Sequence, residues 1–299
     1  MRYTIKDFQK EFSTDEKCLH FIFTARWQEG GFCKCGRTDC FHPVTGRKSY
    51  ACAWCGHQIS PTAGTIFHKS PTPLRLWFFA IFLMSTSKNG VAAKELERQL
   101  GVTYKTAWRM AHQIRKLMDQ PTTLMKGVIE ADETFIGGLA KNMHENKRKT
   151  RTGGSDKTVV AGVMERGGDV RATVVTDTKA VSILPQIVAS VAKGATVCTD
   201  ESASYSLTQY LGYTHATVNH GAGEFVKARV HTNSIEGFWS QLKRSINGTF
   251  HQVSKIHLQS YVNEFCYRYN RRKDVRPLFH ALSEKVGLQV PARKRVLGA

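Results

Sequence analysis

Val128-Ile129-Glu130-Ala131-Asp132-Glu133-Thr134-Phe135 reads as a β-strand that ends at Gly137-Gly138. A second run, Ala195-Thr196-Val197-Cys198-Thr199, closes on Asp200 in the same way. A carboxylate placed by a strand is held rigidly, as chemistry requires and surface charge does not. Working outward, strands are predicted at Thr158–Met164 and Val170–Val175, a helix at about Ala180–Ala192, and a short strand near Ala216–Val218. Two helices, about Asn233–Ser245 and Lys255–Arg271, close the segment. Three strands, a helix, a strand and further helices predict a mixed α/β sheet.

The helix from Asn233 brings a third acid. Ile235, Phe238, Trp239, Leu242 and Ile246 form one apolar stripe at helical spacing. Glu236 and Lys243, two turns apart, share a neighbouring face. Asn233, one turn before Glu236, lies on the same edge and rivals it as a ligand. Taken singly, each acid is most simply a solvated or salt-bridged charge. As a trio, Asp132, Asp200 and Glu236 can hold two Mg²⁺ or Mn²⁺ ions about 3.5–4 Å apart. Hard oxygen donors suit hard cations, and an anionic oxygen binds Mg²⁺ better than an amide does. Lys243 would neutralise a nearby phosphate. Glu130, Glu133 and Glu201 are read as supporting acids.

Those acids sit in a strongly basic chain. Its 299 residues hold 43 Lys and Arg against 24 Asp and Glu, a formal charge of +19. The cations are spread along the whole length, so a polyanion-binding surface is expected, and nucleic acid is the natural partner. No run reaches the ~18 apolar residues of a membrane span. The best candidate, Leu74–Met84, reads as a buried helix. The N-terminus lacks an apolar signal core, so a cytoplasmic, nucleoid-associated protein without membrane contact is expected.

Five of the eight cysteines fall between 33 and 55, a spacing for metal and not for disulfides. Cys52-Ala53-Trp54-Cys55-Gly56 is a C-x-x-C knuckle, and Cys33-Lys34-Cys35-Gly36 a tighter C-x-C half, followed by Cys40 and His42. Cys33, Cys35, Cys52 and Cys55 are the favoured ligands of a structural Zn²⁺, with Cys40 able to replace Cys33. Cys18, Cys198 and Cys266 lie in apolar patterns and are read as core. Residues 91–117 read as a helix-turn-helix: one helix reaches Leu100, Gly101 turns the chain, and Thr103 caps a second. Tyr104, Lys105, Arg109 and Gln113 on that second helix are candidate DNA contacts; an ordinary helical hairpin is the plainer alternative. In the closing helix, Leu258, Tyr261, Val262, Phe265 and Tyr269 pack inward, leaving Arg268, Arg271 and Arg272 for phosphates.

At this point the chain resembles bacterial insertion-sequence transposases of the DDE superfamily, in the group that pairs an N-terminal zinc ribbon with a ribonuclease H-like core. Ala131-Asp132-Glu133-Thr134-Phe135-Ile136-Gly137-Gly138, Thr199-Asp200 and His231-Thr232-Asn233-Ser234-Ile235-Glu236-Gly237-Phe238-Trp239 carry the likeness. So do Gln58–Phe67, Leu242-Lys243-Arg244, Gly248-Thr249-Phe250-His251 and Glu264–Arg272. The resemblance implies a DNA transposase that cleaves and joins element ends bound at terminal inverted repeats, with no covalent enzyme–DNA intermediate. Asp132, Asp200 and Glu236 match the acidic triad and Lys243 the trailing basic residue; some relatives carry Asn as the third member, so Asn233 stays in play. A homo-oligomer is implied, because transposition pairs two ends. The alternatives are a non-catalytic DNA-binding regulator and a ribonuclease H-like nuclease that cuts without joining. The expected layout is a helical segment at 1–30, a zinc ribbon at 31–70, the helix-turn-helix module at 71–120, a ribonuclease H-like α/β core at 126–275 and a basic tail at 276–299.

Overall fold

The structure, a computed structural model, describes residues 3–27, 31–137, 157–218 and 231–288. From sequence, Lys141–Lys157 reads as a basic loop between the strands at 128–135 and 158–164; all of it but Lys157 lies outside the described residues. In chain order come helices α1 (Ile5–Glu11) and α2 (Asp15–Arg26), short strands β1 (Phe41–Pro43), β2 (Tyr50–Cys52) and β3 (Gln58–Ile59), and helices α3 (Leu74–Thr86), α4 (Ala93–Leu100) and α5 (Tyr104–Arg115). Then follow β4 (Val128–Ile136), β5 (Thr158–Glu165), β6 (Val170–Val175), α6 (Ala180–Ser190), β7 (Thr196–Thr199), β8 (Thr214–Thr217), α7 (Asn233–Ser245), α8 (Lys255–Asn270) and α9 (Leu278–Ser283). They form two compact units, Met1–Met118 with Asp274–Ala299, and Asp119–Lys273. Among the described residues no helix is long and apolar enough to cross a membrane.

In the first unit, the N-terminal helical segment is two helices. Thr4 and Asp7 form a capping box that starts α1, and the Thr14 side chain accepts the Lys17 amide to start α2. Side-chain oxygens here satisfy amides that a helix leaves orphaned in its first turn. The core is aromatic: Phe12 stacks on Phe78 with ring centres 4.5 Å apart, and Phe8 packs on both Phe12 and Phe82. α3 starts after Pro73 with no cap of its own; the Asp15 carboxylate accepts the amides of Leu74 and Arg75 at 3.0 and 2.9 Å. The chain returns to this unit at its far end. Phe279 of α9 is buried, stacks on Tyr3 at 4.6 Å and meets Phe8, Phe12 and Phe82. The stretch read as a basic tail thus begins with a packed helix. Strands β1, β2 and β3 form a small antiparallel sheet.

The second unit is built on a five-stranded mixed sheet in the order β6-β5-β4-β7-β8. β4, β5 and β6 are antiparallel neighbours, and β4, β7 and β8 run parallel. Side chains alternate between the faces of a strand. Ile129, Ala131, Ala161, Val163 and Val197 therefore pack on α6, while Ile136, Val160, Met164, Val170 and Ala172 pack on α7 and α8. β5 is buried along both faces, which explains its unbroken apolar run. Cys18, Cys198 and Cys266 are buried core residues, as read.

Candidate active site and thiol cluster

β4 and β7 pair in parallel with Val128 opposite Thr196 and Glu130 opposite Cys198. β7 ends at Thr199, so Asp200 lies just past the last paired residues, close enough for its charge to act on Asp132 of β4. Asp132 is half-buried and accepts a hydrogen bond from the Trp239 indole at 3.0 Å. That indole fits because residue 162, opposite Asp132 on β5, is glycine: a Cβ there would lie 2.6 Å from the Trp239 ring. Burial raises the Asp132 carboxyl to about 7, aided by the charges of Glu133 and Asp200 and opposed by the Glu133 amide and the indole. Asp200 Oδ1 accepts the Ser202 amide at 3.1 Å. Glu133 points to the opposite face and accepts the Tyr205 hydroxyl at 2.6 Å; burial raises its carboxyl as well.

α7 begins at Asn233 and ends at Ser245. Ile235, Phe238, Trp239 and Leu242 are buried against the sheet, while Asn233, Glu236 and Lys243 are exposed. Glu236 Oε1 accepts the Thr232 hydroxyl at 2.8 Å. On the helical wheel, Glu236 and Lys243 lie beside Trp239, the residue that touches Asp132, whereas Asn233 lies further around. Among the described residues, Asp132, Asp200 and Glu236 do not gather with ligand atoms within 4.8 Å of one another; a cysteine group alone does. Asp132 stands in the middle of β4, not at its end, whereas Asp200 directly follows β7 and Glu236 belongs to the first turn of α7. The donor chemistry, three hard oxygens, suits Mg²⁺ or Mn²⁺.

The acid read only as supporting proves the most heavily engaged. Glu130, on the same face of β4 as Asp132, is fully buried. Its Oε2 accepts the amides of Ser234 and Ile235 at 2.8 and 3.0 Å, and its Oε1 accepts the Ser234 hydroxyl at 3.0 Å. Arg166 donates Nε to Glu130 at 2.9 Å and Nη2 to the His231 carbonyl at 2.9 Å. His231 Nδ1 lies 3.2 Å from the same carboxylate, outside hydrogen-bond geometry. The signal in sequence was the alternation that puts residues 130 and 132 on one face.

In the first unit, Cys33, Cys35, Cys52 and Cys55 bring their sulfurs within 4.8 Å of one another. Cys33 and Cys55 stand 3.5 Å apart, and Cys35 and Cys52 3.8 Å. Four sulfurs on one tetrahedral Zn²⁺, each at about 2.3 Å, would stand about 3.8 Å apart, so the residues fit that ion. Both knuckles close on a left-handed glycine, Gly36 at φ 84° and Gly56 at φ 69°, and the tight C-x-C half is therefore no obstacle. The Cys55 amide, followed by that of Trp54, draws the Cys52 thiol below its ordinary range against the effect of burial. Cys40 is buried and touches Cys52 at 3.4 Å but stands outside the group of four.

α4 and α5 meet at the predicted turn. Gly101 takes φ 64°, and Thr103 accepts the Thr106 amide at 3.4 Å. Tyr104, Lys105 and Arg109 are exposed and Gln113 half-buried; Arg109 also donates to the His68 carbonyl at 3.2 Å. On α8, Arg268 is drawn inward to the fully buried Glu264 at 2.7 Å, because a buried carboxylate requires a counter-charge. Arg271 lies over the Tyr267 ring at 4.1 Å and Arg272 over Tyr269 at 3.7 Å.

Residues 124–270, most of the second unit, match the ISXO2-like transposase domain. The chain is 25% identical over 273 residues to an uncharacterized protein in transposable element ISH50 of Halobacterium salinarum, covering 87% of this chain and 92% of that one. It is 29% identical over 101 residues to an uncharacterized transposase-like protein of Haemophilus influenzae, covering 34% of this chain and 80% of that one.

Proposed function

We propose, from the match of residues 124–270 to the ISXO2-like transposase domain, that this chain is a DDE-type DNA transposase of an insertion sequence. It would cleave and join element ends held at terminal inverted repeats, working as a homo-oligomer in the bacterial cytoplasm at the nucleoid. The observation that carries the reading is Asp132 on β4 bonded to Trp239 of α7, with Asp200 just past the end of β7, the parallel neighbour of β4. The strand order, with three antiparallel strands followed by two parallel ones, supports a ribonuclease H-like core.

Asp132, Asp200 and Glu236 would hold Mg²⁺ or Mn²⁺. Bound there, the metal supplies activation of the attacking oxygen and charge relief at the leaving one. The chain's own residues do the rest. The Trp239 indole orients one oxygen of Asp132. Glu236 is favoured over Asn233 because it shares the Trp239 flank and carries charge. Lys243, two turns on, neutralises a phosphate of the bound strand. Zn²⁺ on Cys33, Cys35, Cys52 and Cys55 holds the ribbon in shape. Tyr104, Lys105, Arg109 and Gln113 present α5 to the duplex as the second helix of a helix-turn-helix, while Arg271 and Arg272 grip backbone phosphates without reading sequence.

The test supplies pre-cut end DNA and a target plasmid with Mg²⁺. Joined product is expected from the wild type and is lost, by roughly 10³-fold or more, in Asp132→Asn, Asp200→Asn and Glu236→Gln, with end binding retained. Cutting without joining would mark a nuclease, and binding without cutting a regulator; either overturns the reading. Asn233→Ala beside Glu236→Gln under Mn²⁺ separates the two candidates for third ligand.

A further inference from the structure

α7 has no cap of its own. The side chain of Thr232, at its N-cap position, accepts no first-turn amide and gives its hydroxyl to Glu236 instead. The capping role passes to Glu130, which accepts the amides of Ser234 and Ile235 from across the sheet. A cap within a helix stabilises the helix alone. A cap reaching from a strand also ties the helix to that strand.

A second tie follows two residues later on the same strand face, where Asp132 accepts the Trp239 indole. The spacings agree. Two residues of strand cover about 7 Å, and the four residues of helix from Ile235 to Trp239 rise about 6 Å. α7 is therefore held at two points along one face of β4, and Glu236 lies between them. Sliding or rotating the helix would strip a buried carboxylate of two amides, at a cost far above that of an ordinary surface bond. Ser234 adds its hydroxyl to the first tie, and Arg166 secures the approach to the helix through the His231 carbonyl.

We propose that Glu130 is the positioning residue of the site: by tethering the first turn of α7 to β4, it sets the height of Glu236 along the strand that carries Asp132. It touches neither metal nor DNA. The inference rests on the transposase reading above, and the test keeps the two apart.

Mn²⁺ binding to the full-length chain is measured by electron paramagnetic resonance, and amide hydrogen exchange is followed over 231–242, in wild type, Glu130→Gln and Ser234→Ala. Glu130→Gln keeps the shape of the side chain and loses one acceptor oxygen and the charge. Its Mn²⁺ affinity is expected to fall about 10–100-fold, as for other partners that orient metal ligands. Exchange of the first turn of α7 is expected to quicken, strand transfer to fall in kcat, and DNA affinity to stay within about twofold. Ser234→Ala is expected to lose about threefold in Mn²⁺ affinity with little change in melting temperature, and it answers the question if Glu130→Gln does not fold. A Glu130→Gln protein that melts lower yet binds Mn²⁺ as the wild type does would overturn the proposal, since a purely structural residue behaves that way. Unchanged Mn²⁺ binding in Ser234→Ala, where Glu130→Gln does not fold, would do the same. A wild type that binds no Mn²⁺ and joins no DNA removes the functional reading, and this inference with it. A wild type that does both, beside an unaltered Glu130→Gln, removes this inference alone.

Discussion

Asp132 sits between a buried indole and two further carboxylates, and its proton follows from that setting. Folded, the carboxyl holds its proton up to about pH 7; unfolded, it releases it near 3.9. Its contribution to stability is therefore fully present below about pH 4 and is lost as pH rises through about 7. Asp132→Asn cannot ionise. In a chelating buffer it is expected to melt like the wild type near pH 4 and to be more stable above pH 7, by on the order of a few kcal/mol. Thermal melts across pH check this, and equal melting at pH 8 would refute it. Added Mg²⁺ should then raise the melting temperature of the wild type and not that of the variant. Asp132 itself was legible from sequence, because a short run of alternating residues announces both the strand and its faces. Its partners were not. Glu130 meets Ser234 across 104 positions, and Trp239 meets Asp132 across 107; only the docking of α7 on β4 makes those contacts exist.

At the scale of elements, sequence patterns succeeded where one helix stripe or one strand alternation decides the outcome. β6 and α7 have the bounds their patterns predict. The N-terminal segment shows the limit: its amphipathic pattern continues through Phe12, while Ser13-Thr14-Asp15 restarts the helix, a capping signal that was present and outweighed. α8 shows another. Arg268 has the spacing of a surface cation, yet Glu264 one turn earlier is buried and claims it. Arg268→Ala is expected to cost about 3–5 kcal/mol of stability by stranding that acid. Arg272→Ala should leave stability nearly unchanged and weaken binding of all DNA sequences alike, reducing the salt slope by about 1. Denaturant titration and binding at several salt concentrations separate the two. In the ribbon, metal analysis should find one Zn²⁺ per chain, lost in Cys55→Ser and kept in Cys40→Ser, because Cys40 stands outside the group of four sulfurs. Loss of zinc from Cys40→Ser would move the ligand set.

At the scale of the whole molecule, the composition speaks first: a formal charge of +19 suits a protein that gathers a polyanion. The connection of the two units was the least legible property, since nothing local in Pro277-Leu278-Phe279-His280 says that Phe279 joins Phe8 and Phe12, which lie near the other end of the chain. That return makes the second unit an insertion into the first, with the chain leaving after Met118 and coming back at Asp274. For the genetics of such a protein the result is counterintuitive. A stop codon after Lys273 spares every acid of the site and damages the opposite end of the gene product, emptying the aromatic core of a ring worth about 3–5 kcal/mol. Calorimetry of the shortened chain should show the first unit melting earlier and the second unit unmoved. Copies of the gene that accumulate late nonsense mutations would thus encode proteins with an intact second unit and a failing scaffold for the four cysteines and α5.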